Sequence, residues 1–206
     1  MVLLPSDHYF ADDEAFMSHV DLAFDATRSR PETVTLLGIT PSSPETEYGW
    51  IQPASSILSN ALRSISRVEC FWEKPSASVA IDLMQRGCLW NSFVMVGRVD
   101  ALLKMTQRAL PDLFGSFAGV APSFGTAAER FRMEELYSRI SEANFSHQVL
   151  ATRSNNLAVM RVGEVGWSDL GEPGRVLSTL AQIKENVKRV SSSNFQVPGY
   201  NFVGAI

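Results

Sequence analysis

Asp7 and Asp169 lie far apart in the sequence but share a setting, each set among apolar residues and turn formers, in Pro5 to His8 and in Gly166 to Gly171. Two carboxylates converging from distant loops are what a magnesium ion takes, since Mg²⁺ keeps several waters and accepts one or two carboxylates together with phosphate oxygens of a substrate. Each Asp can equally cap its own turn through the neighbouring backbone. Lys74 stands between Glu73 and Pro75, a fixed cation beside a fixed anion. It can hold a phosphate as a point charge while Glu73 accepts sugar hydroxyls, or the two can form a surface ion pair at a strand end. Asn91 can bond hydroxyls through both groups of its amide, or cap a turn, and Gly49 can let backbone approach a ligand, or merely supply a bend. Tryptophans 50, 72, 90 and 167 sit beside these polar clusters, where they can wall a sugar site or fill core. Arg153 and Arg175 are further candidate phosphate contacts. His8, His19 and His147 share no spacing and read as structural, and no Ser/His/Asp or Cys/His pairing points to covalent catalysis.

Loops that carry such residues need elements to position them. Met1 to Leu4 reads as a buried strand of the parallel type, which needs neighbours on both sides, so the chain reads as if it begins in the middle of a fold. Asp12 or Asp13 caps a helix whose apolar positions Ala15, Phe16, His19, Val20, Ala23 and Phe24 recur at spacings of three and four, ending at Arg28 to Pro31. Val34 to Ile39 is an almost wholly apolar strand. Trp50 and Ile51 form a short one, residues 53–66 an irregular insertion or weak helix, and Val68 to Trp72 a half-buried strand alternating at period two. Ser76 caps a helix to Arg86 that Gly87 ends, and Leu89 to Val96 is again a strand. Helices are expected over 99–120 with a break at Pro111, over 126–142 and over 176–190, with a strand at Leu157 to Arg161. The alternation of strands and helices predicts one α/β domain over residues 1–190 with a mixed, mostly parallel sheet, followed by a tail from Ser191 to Ile206. Ligand sites in such sheets gather where loops leave the carboxyl ends of strands.

Composition narrows the function classes. The 206 residues are 45% hydrophobic and 19% charged, which is ordinary for a globular protein and excludes a disordered one. With 18 Lys and Arg against 22 Asp and Glu, the formal net charge is −4, which disfavours nucleic acids and anionic membranes as partners. Cys70 and Cys88 are too few for a disulfide scaffold, and no Cys/His cluster suggests zinc. No apolar stretch approaches the roughly 20 residues that span a bilayer, and Met1 to Phe10 makes a poor signal peptide, so a cytoplasmic location is expected.

Taken in order, five stretches resemble the sugar-1-phosphate nucleotidyltransferases, most closely the mannose-1-phosphate guanylyltransferases. They are PSDHYFADDEAF (5–16), VTLLGITPSSPETEYGWIQ (34–52), VECFWEKPSASVA (68–80), GCLWNSFVMV (87–96) and VGWSDLG (165–171). The resemblance implies a Rossmann-like nucleotidyltransferase fold and a Mg²⁺-dependent reaction in which a sugar-1-phosphate attacks the α-phosphorus of GTP and expels pyrophosphate. By the same resemblance Asp7 and Asp169 are metal ligands, Lys74 holds the sugar phosphate, and Glu73, Asn91 and the backbone at Gly49 read the sugar. The sequence departs from the family pattern in three places. WNSG becomes WNSF, with Phe93 in place of a small residue near the sugar, and an acidic residue before the late strand is replaced within Asn144 to His147. The glycine-rich G-x-G-x-R-L loop that cradles the triphosphate does not occur in residues 1–206. The expectation is therefore the carboxyl-side portion of such a fold, without its first β-α units, inactive alone and apt to pair as a homo-oligomer through the strand at Val2 to Leu4. A non-catalytic sugar-phosphate-binding or sheet-edge interaction protein is the alternative.

Overall fold

A computed structural model describes residues 1–54 and 65–192, with side chains to residue 186. Most of the 53–66 insertion and residues 193–206 of the expected tail lie outside the described residues.

Strands β1 (Val2–Leu3), β2 (Val34–Ile39), β3 (Gly49–Pro53), β4 (Ile65–Glu73), β5 (Leu89–Val96) and β6 (Leu157–Val162) form one sheet in the order β1-β5-β2-β6-β4-β3. Helices α1 (Asp13–Ser29), α2 (Ala77–Gln85), α3 (Val99–Ala109), α4 (Pro111–Val120), α5 (Glu129–Tyr137) and α6 (Pro173–Ser192) complete the fold. The local rules are visible at their ends. The Asp12 carboxylate accepts the Ala15 N–H at 2.9 Å and caps α1. Pro111 separates α3 from α4, and Gly87 follows α2 in the left-handed conformation at φ +74°. Helix α5 is shorter than the 126–142 expected, and α6 starts at Pro173 rather than Val176, because proline is favoured in a first helical turn where its missing N–H costs nothing.

The expectation of a mixed, mostly parallel sheet holds as to its being mixed and is corrected as to direction, which is mostly antiparallel. Only β2 and β6 run parallel, while β1–β5, β2–β5, β3–β4, β3–β5 and β4–β6 are antiparallel. Continuous apolar runs reflect burial on both faces, and here both faces are covered whatever the strand direction. Along β2, Leu37 and Ile39 pack with Phe16, Val20 and Ala23 of α1 and Ala80 and Leu83 of α2. Val34 and Leu36 face the other way, toward Ala101 and Met105 of α3 and Val149 and Leu150 of a π-helical turn at Ser146–Leu150. The same alternation divides Trp50 from Ile51, Trp90 from Leu89, and Met160 from Val159. Strand β1 is corrected likewise: it is half-buried and pairs antiparallel with β5 alone, Val2 opposite Val96 and Leu3 opposite Met95.

Strand β5 organises the site. It lies against β2 on one side, and on the other against β3 at its amino end and β1 at its carboxyl end. Midway the ladder with β2 shifts, so that Leu37 alone faces the three residues Ser92, Phe93 and Val94 between the Gly38–Asn91 and Leu36–Met95 pairs. This bulge is held by the Ser92 hydroxyl, which donates to the Leu37 carbonyl at 2.6 Å.

Candidate sugar-phosphate site

Four of the residues singled out in the sequence line one pocket of about 290 Å³: Gly49 from β3, Glu73 from β4, Asn91 from β5 and Asp169 from the loop before α6. Gly49 and Glu73 are cross-strand partners, and Trp50 pairs with Trp90 in the next strand, which sets Asn91 beside them. A Cβ at position 49 would stand 3.1 Å from Glu73 Oε2 and 3.3 Å from Asn91 Cβ, so only glycine leaves the space where those two side chains converge. Asn91 is buried, and its Oδ1 accepts the Phe93 N–H at 3.1 Å. Its amide nitrogen makes no bond among the described residues and remains available as a donor.

Asp169 is the most heavily engaged carboxylate of the site. Arg175 Nη1 donates to both its oxygens, at 2.8 and 2.7 Å, the Tyr48 hydroxyl donates to Oδ1 at 3.0 Å, and the Gly171 N–H donates to Oδ1 at 3.2 Å. The Arg175 guanidinium also lies 4.6 Å from the centre of the Tyr48 ring. Burial alone would raise the Asp169 carboxyl, but its hydrogen bonds to Arg175, Gly171 and Tyr48 outweigh it and hold the group below the usual carboxylate range. Tyr48 moves the other way: burial and the Asp169 charge push its phenol well above 10, so it stays a donor.

Asp7 and Lys74 are placed differently from those four. The loop holding Asp7 is sewn to the loop holding Asp169 by an antiparallel bridge, Tyr9 N–H to Ser168 O at 2.8 Å and Ser168 N–H to Tyr9 O at 2.9 Å. His8, between Asp7 and Tyr9 in the sequence, feels the charges of both Asp7 and Asp169. Asp7 itself is exposed and outside the pocket lining. Gly166 allows the closeness of the two loops, since at φ +60° any Cβ it carried would lie 2.5 Å from that of Ala11. Lys74 is also exposed, and its Nζ pairs with Glu47 Oε2 at 3.1 Å, Glu47 being part of the lining. Of the two arginines considered for phosphate, Arg175 serves Asp169, and Arg153 donates to the Arg108 carbonyl on the α3 side of the molecule.

Two lining residues, His8 and Tyr48, had no ligand role in the sequence reading, while Trp167 was one of the four tryptophans read as sugar-site wall or core. His8, read there as structural, faces the pocket with Nδ1 accepting the Trp167 indole N–H at 3.2 Å, which places any proton of the neutral ring on Nε2. Burial lowers its basicity, although the Asp7 and Asp169 charges oppose the shift. Tyr48 and Trp167 form an aromatic wall with Trp90, ring centres 5.0 to 6.2 Å apart. The position of Tyr48 immediately before Gly49 in a strand-leading loop is the signal that could have singled it out.

Hard oxygen donors of this kind suit magnesium better than softer metals. Among the described residues no group of three or more His, Cys, Asp or Glu converges to form a self-sufficient metal cage. Asp169 Oδ2 accepts only from Arg175 among the described residues, and so keeps a lone pair that a hydrated cation could use.

Comparison with known proteins places the chain in a family. Alginate biosynthesis protein AlgA of Pseudomonas fluorescens is 27% identical over 172 residues, covering 83% of this chain and 35% of that protein. Mannose-1-phosphate guanylyltransferase of Sinorhizobium fredii is 26% identical over 173 residues, covering 83% of this chain and 32% of that one. The chain thus spans about a third of the length of these curated relatives. Among solved structures, one described as a mannose-1-phosphate geranyltransferase from Thermus thermophilus superposes with a TM-score of 0.72 at 25% identity, covering 88% of this chain and 49% of that one. One described as a mannose-6-phosphate isomerase from Helicobacter pylori, 18% identical with a TM-score of 0.65 over 81% of this chain and 62% of that one, shares the fold. Residues 1–186 match the nucleotidyl transferase family, and it is to this family that the chain belongs.

Proposed function

We propose that this chain binds a hexose-1-phosphate, mannose-1-phosphate foremost, as the sugar side of a guanylyl transfer that forms GDP-mannose from GTP and releases pyrophosphate. The observation that carries the reading is the convergence of Gly49, Glu73, Asn91 and Asp169, from four separate segments, on one pocket. Glu73 accepts sugar hydroxyls, the free amide of Asn91 donates to them, and the missing side chain at Gly49 leaves them room. Lys74, at the rim and paired with Glu47, turns to the sugar phosphate as a point charge. Asp169 and Asp7 would hold Mg²⁺ together with phosphate oxygens; when bound, the ion neutralises phosphate charge and aligns the attacking oxygen. Tyr48 and Arg175 keep Asp169 ionised and fixed in place.

The G-x-G-x-R-L segment that cradles the triphosphate in the resembled family does not occur in the 206 residues. Each absent oxyanion-type donor typically costs about 10²–10³ in rate, so this chain alone should not turn over. Its partners on this reading are the sugar phosphate, GTP, and a second copy or another segment that pairs along β1. No described helix is long and apolar enough to cross a membrane.

The test is calorimetric titration of mannose-1-phosphate into the chain in Mg²⁺. Lys74→Ala should weaken binding about five- to tenfold, just below the charge-assisted range because Lys74 is more than half exposed. Absence of binding to the parent chain, or an unchanged affinity in Lys74→Ala together with Asp169→Asn, overturns the assignment. Pyrophosphate release from GTP, Mg²⁺ and mannose-1-phosphate by this chain alone would refute the claim of inactivity.

A further inference from the structure

Phe93 has a backbone that its side chain disfavours. Its φ is +60°, a left-handed conformation that costs a bulky residue roughly 1–2 kcal/mol. It sits at the middle of the β5 bulge, where three residues face one of β2, and its N–H is tied to Asn91 Oδ1 at 3.1 Å. Bulges re-aim side chains, and the strained, bulged Phe93 lines the pocket while its neighbours Ser92 and Val94 are fully buried. The ring is 37% exposed, and its aromatic partner is Phe145, 6.3 Å away at 64°. A large apolar ring kept partly open to solvent by a strained backbone is poorly explained by packing alone.

We propose that Phe93 is a specificity residue, its ring forming the platform on which the C–H face of a pyranose phosphate rests while Glu73 and Asn91 take the hydroxyls. The inference deepens the sugar-phosphate reading and rests on it. The lining combines two chemistries: Glu73, Asn91, Glu47 and Asp169 offer charge and hydrogen bonds, and Phe93 and Trp167 offer rings. A pyranose has the same division, hydroxyls around its edge and carbon-bound hydrogens on its faces. At about 290 Å³ the pocket stands at the small end of ligand sites, so the ring also sets an upper limit on substituents. The class selected is an unsubstituted hexose-1-phosphate, with a bulky acyl substituent on the ring rejected.

Calorimetry on the full chain and three variants tests this with two ligands, mannose-1-phosphate and its 2-acetamido-2-deoxy counterpart. Phe93→Tyr keeps the ring and should retain mannose-1-phosphate affinity within twofold. Phe93→Leu keeps apolar bulk without the ring and should lose about three- to tenfold, the range of one aromatic contact. Phe93→Gly should lose affinity for mannose-1-phosphate while gaining it for the acetamido sugar, so the selectivity ratio falls. Thermal unfolding of each variant confirms that it is folded, and the ratio itself is insensitive to a uniform loss of folded protein. Equal mannose-1-phosphate affinity in parent and Phe93→Leu, with an unchanged ratio in Phe93→Gly, overturns the role of Phe93 and leaves the sugar-phosphate reading standing. No binding of either ligand to the parent overturns both.

Discussion

Replacing Arg175 by leucine tests whether the candidate site depends on one charge pair. Arg175 and Asp169 each expose only 19% of their side chains, and a single guanidinium nitrogen bonds both carboxylate oxygens at 2.7 and 2.8 Å. Removing one partner of a buried pair costs about 3–5 kcal/mol, because the other charge stays desolvated. Here Asp169 keeps the Tyr48 hydroxyl and the Gly171 N–H, and some water reaches it, so about 2–3 kcal/mol is expected for Arg175→Leu. Asp169→Asn leaves Arg175 its position over the Tyr48 ring and should cost about 1.5–2.5 kcal/mol. Because both variants break the same contact, the double variant should fall short of their sum by about 1.5 kcal/mol in a urea-denaturation cycle read at constant m-value. The pH dependence has a fixed sign. Burial pushes Asp169 up, but its hydrogen bonds win and its folded value lies below 3.8, so its stabilisation is complete above 3.8 and is lost as pH falls through the folded value. Arg175→Leu should remove that acid-side decline. Additive effects within about 0.5 kcal/mol, or an unchanged acid limb in Arg175→Leu, would refute the argument.

Gly49→Ala places a methyl group 3.0 Å from Phe71 Cζ and 3.1 Å from Glu73 Oε2, so it should cost only about 1 kcal/mol of stability in urea but weaken sugar-phosphate binding at least tenfold by calorimetry. A loss of stability without loss of affinity would place the ligand elsewhere. His8 is held below its ordinary value of 6.5 by burial, against the pull of Asp7 and Asp169, so the unfolded chain takes up the proton first on acidification. Stability should therefore decline as pH drops below about 6.5, and His8→Gln should flatten that part of the profile; an identical profile in the variant would remove His8 as its cause.

Local rules were legible where short-range physics decides. The Asp12 cap, the Pro111 break and the apolar run of β2 follow from neighbouring residues and stand where they were expected. Strand direction was not legible, because Val34 to Ile39 is apolar on both faces under either pairing, and only the long connections determine that β5 runs against β2, β1 and β3. The π-helical turn at Ser146–Leu150, which buries Val149 and Leu150 beneath the sheet, has no periodic signature over so few residues. In the site, residue types were readable and partnerships were not. Asp169 and Arg175 are six residues apart across two Gly and a Pro, a spacing that fits neither a helix nor a strand, and Tyr48 joins Asp169 from 121 residues away.

Backbone strain at the site stands beside its side-chain contacts, the Tyr48, Asp169 and Arg175 cluster among them. Among the described residues, the non-glycine residues with positive φ are Lys74 at 46°, Phe93 at 60° and Leu170 at 51°. Each follows a pocket residue closely: Lys74 comes after Glu73, Phe93 two residues after Asn91, and Leu170 after Asp169. At roughly 1 kcal/mol or more apiece, three such residues take up a noticeable share of a typical domain's 5–15 kcal/mol and persist only where their surroundings hold them. In every case the strained residue's own N–H is bound: Lys74 to the Tyr48 carbonyl at 3.3 Å, Phe93 to Asn91 Oδ1 at 3.1 Å, and Leu170 to Ser168 Oγ at 3.3 Å. The chain therefore turns sharply just past each of the three side chains that face the ligand, and those turns are anchored on acceptors within or beside the pocket. The three side chains are thus aimed by turns of the backbone, and the volume they enclose is left free for a ligand to fill.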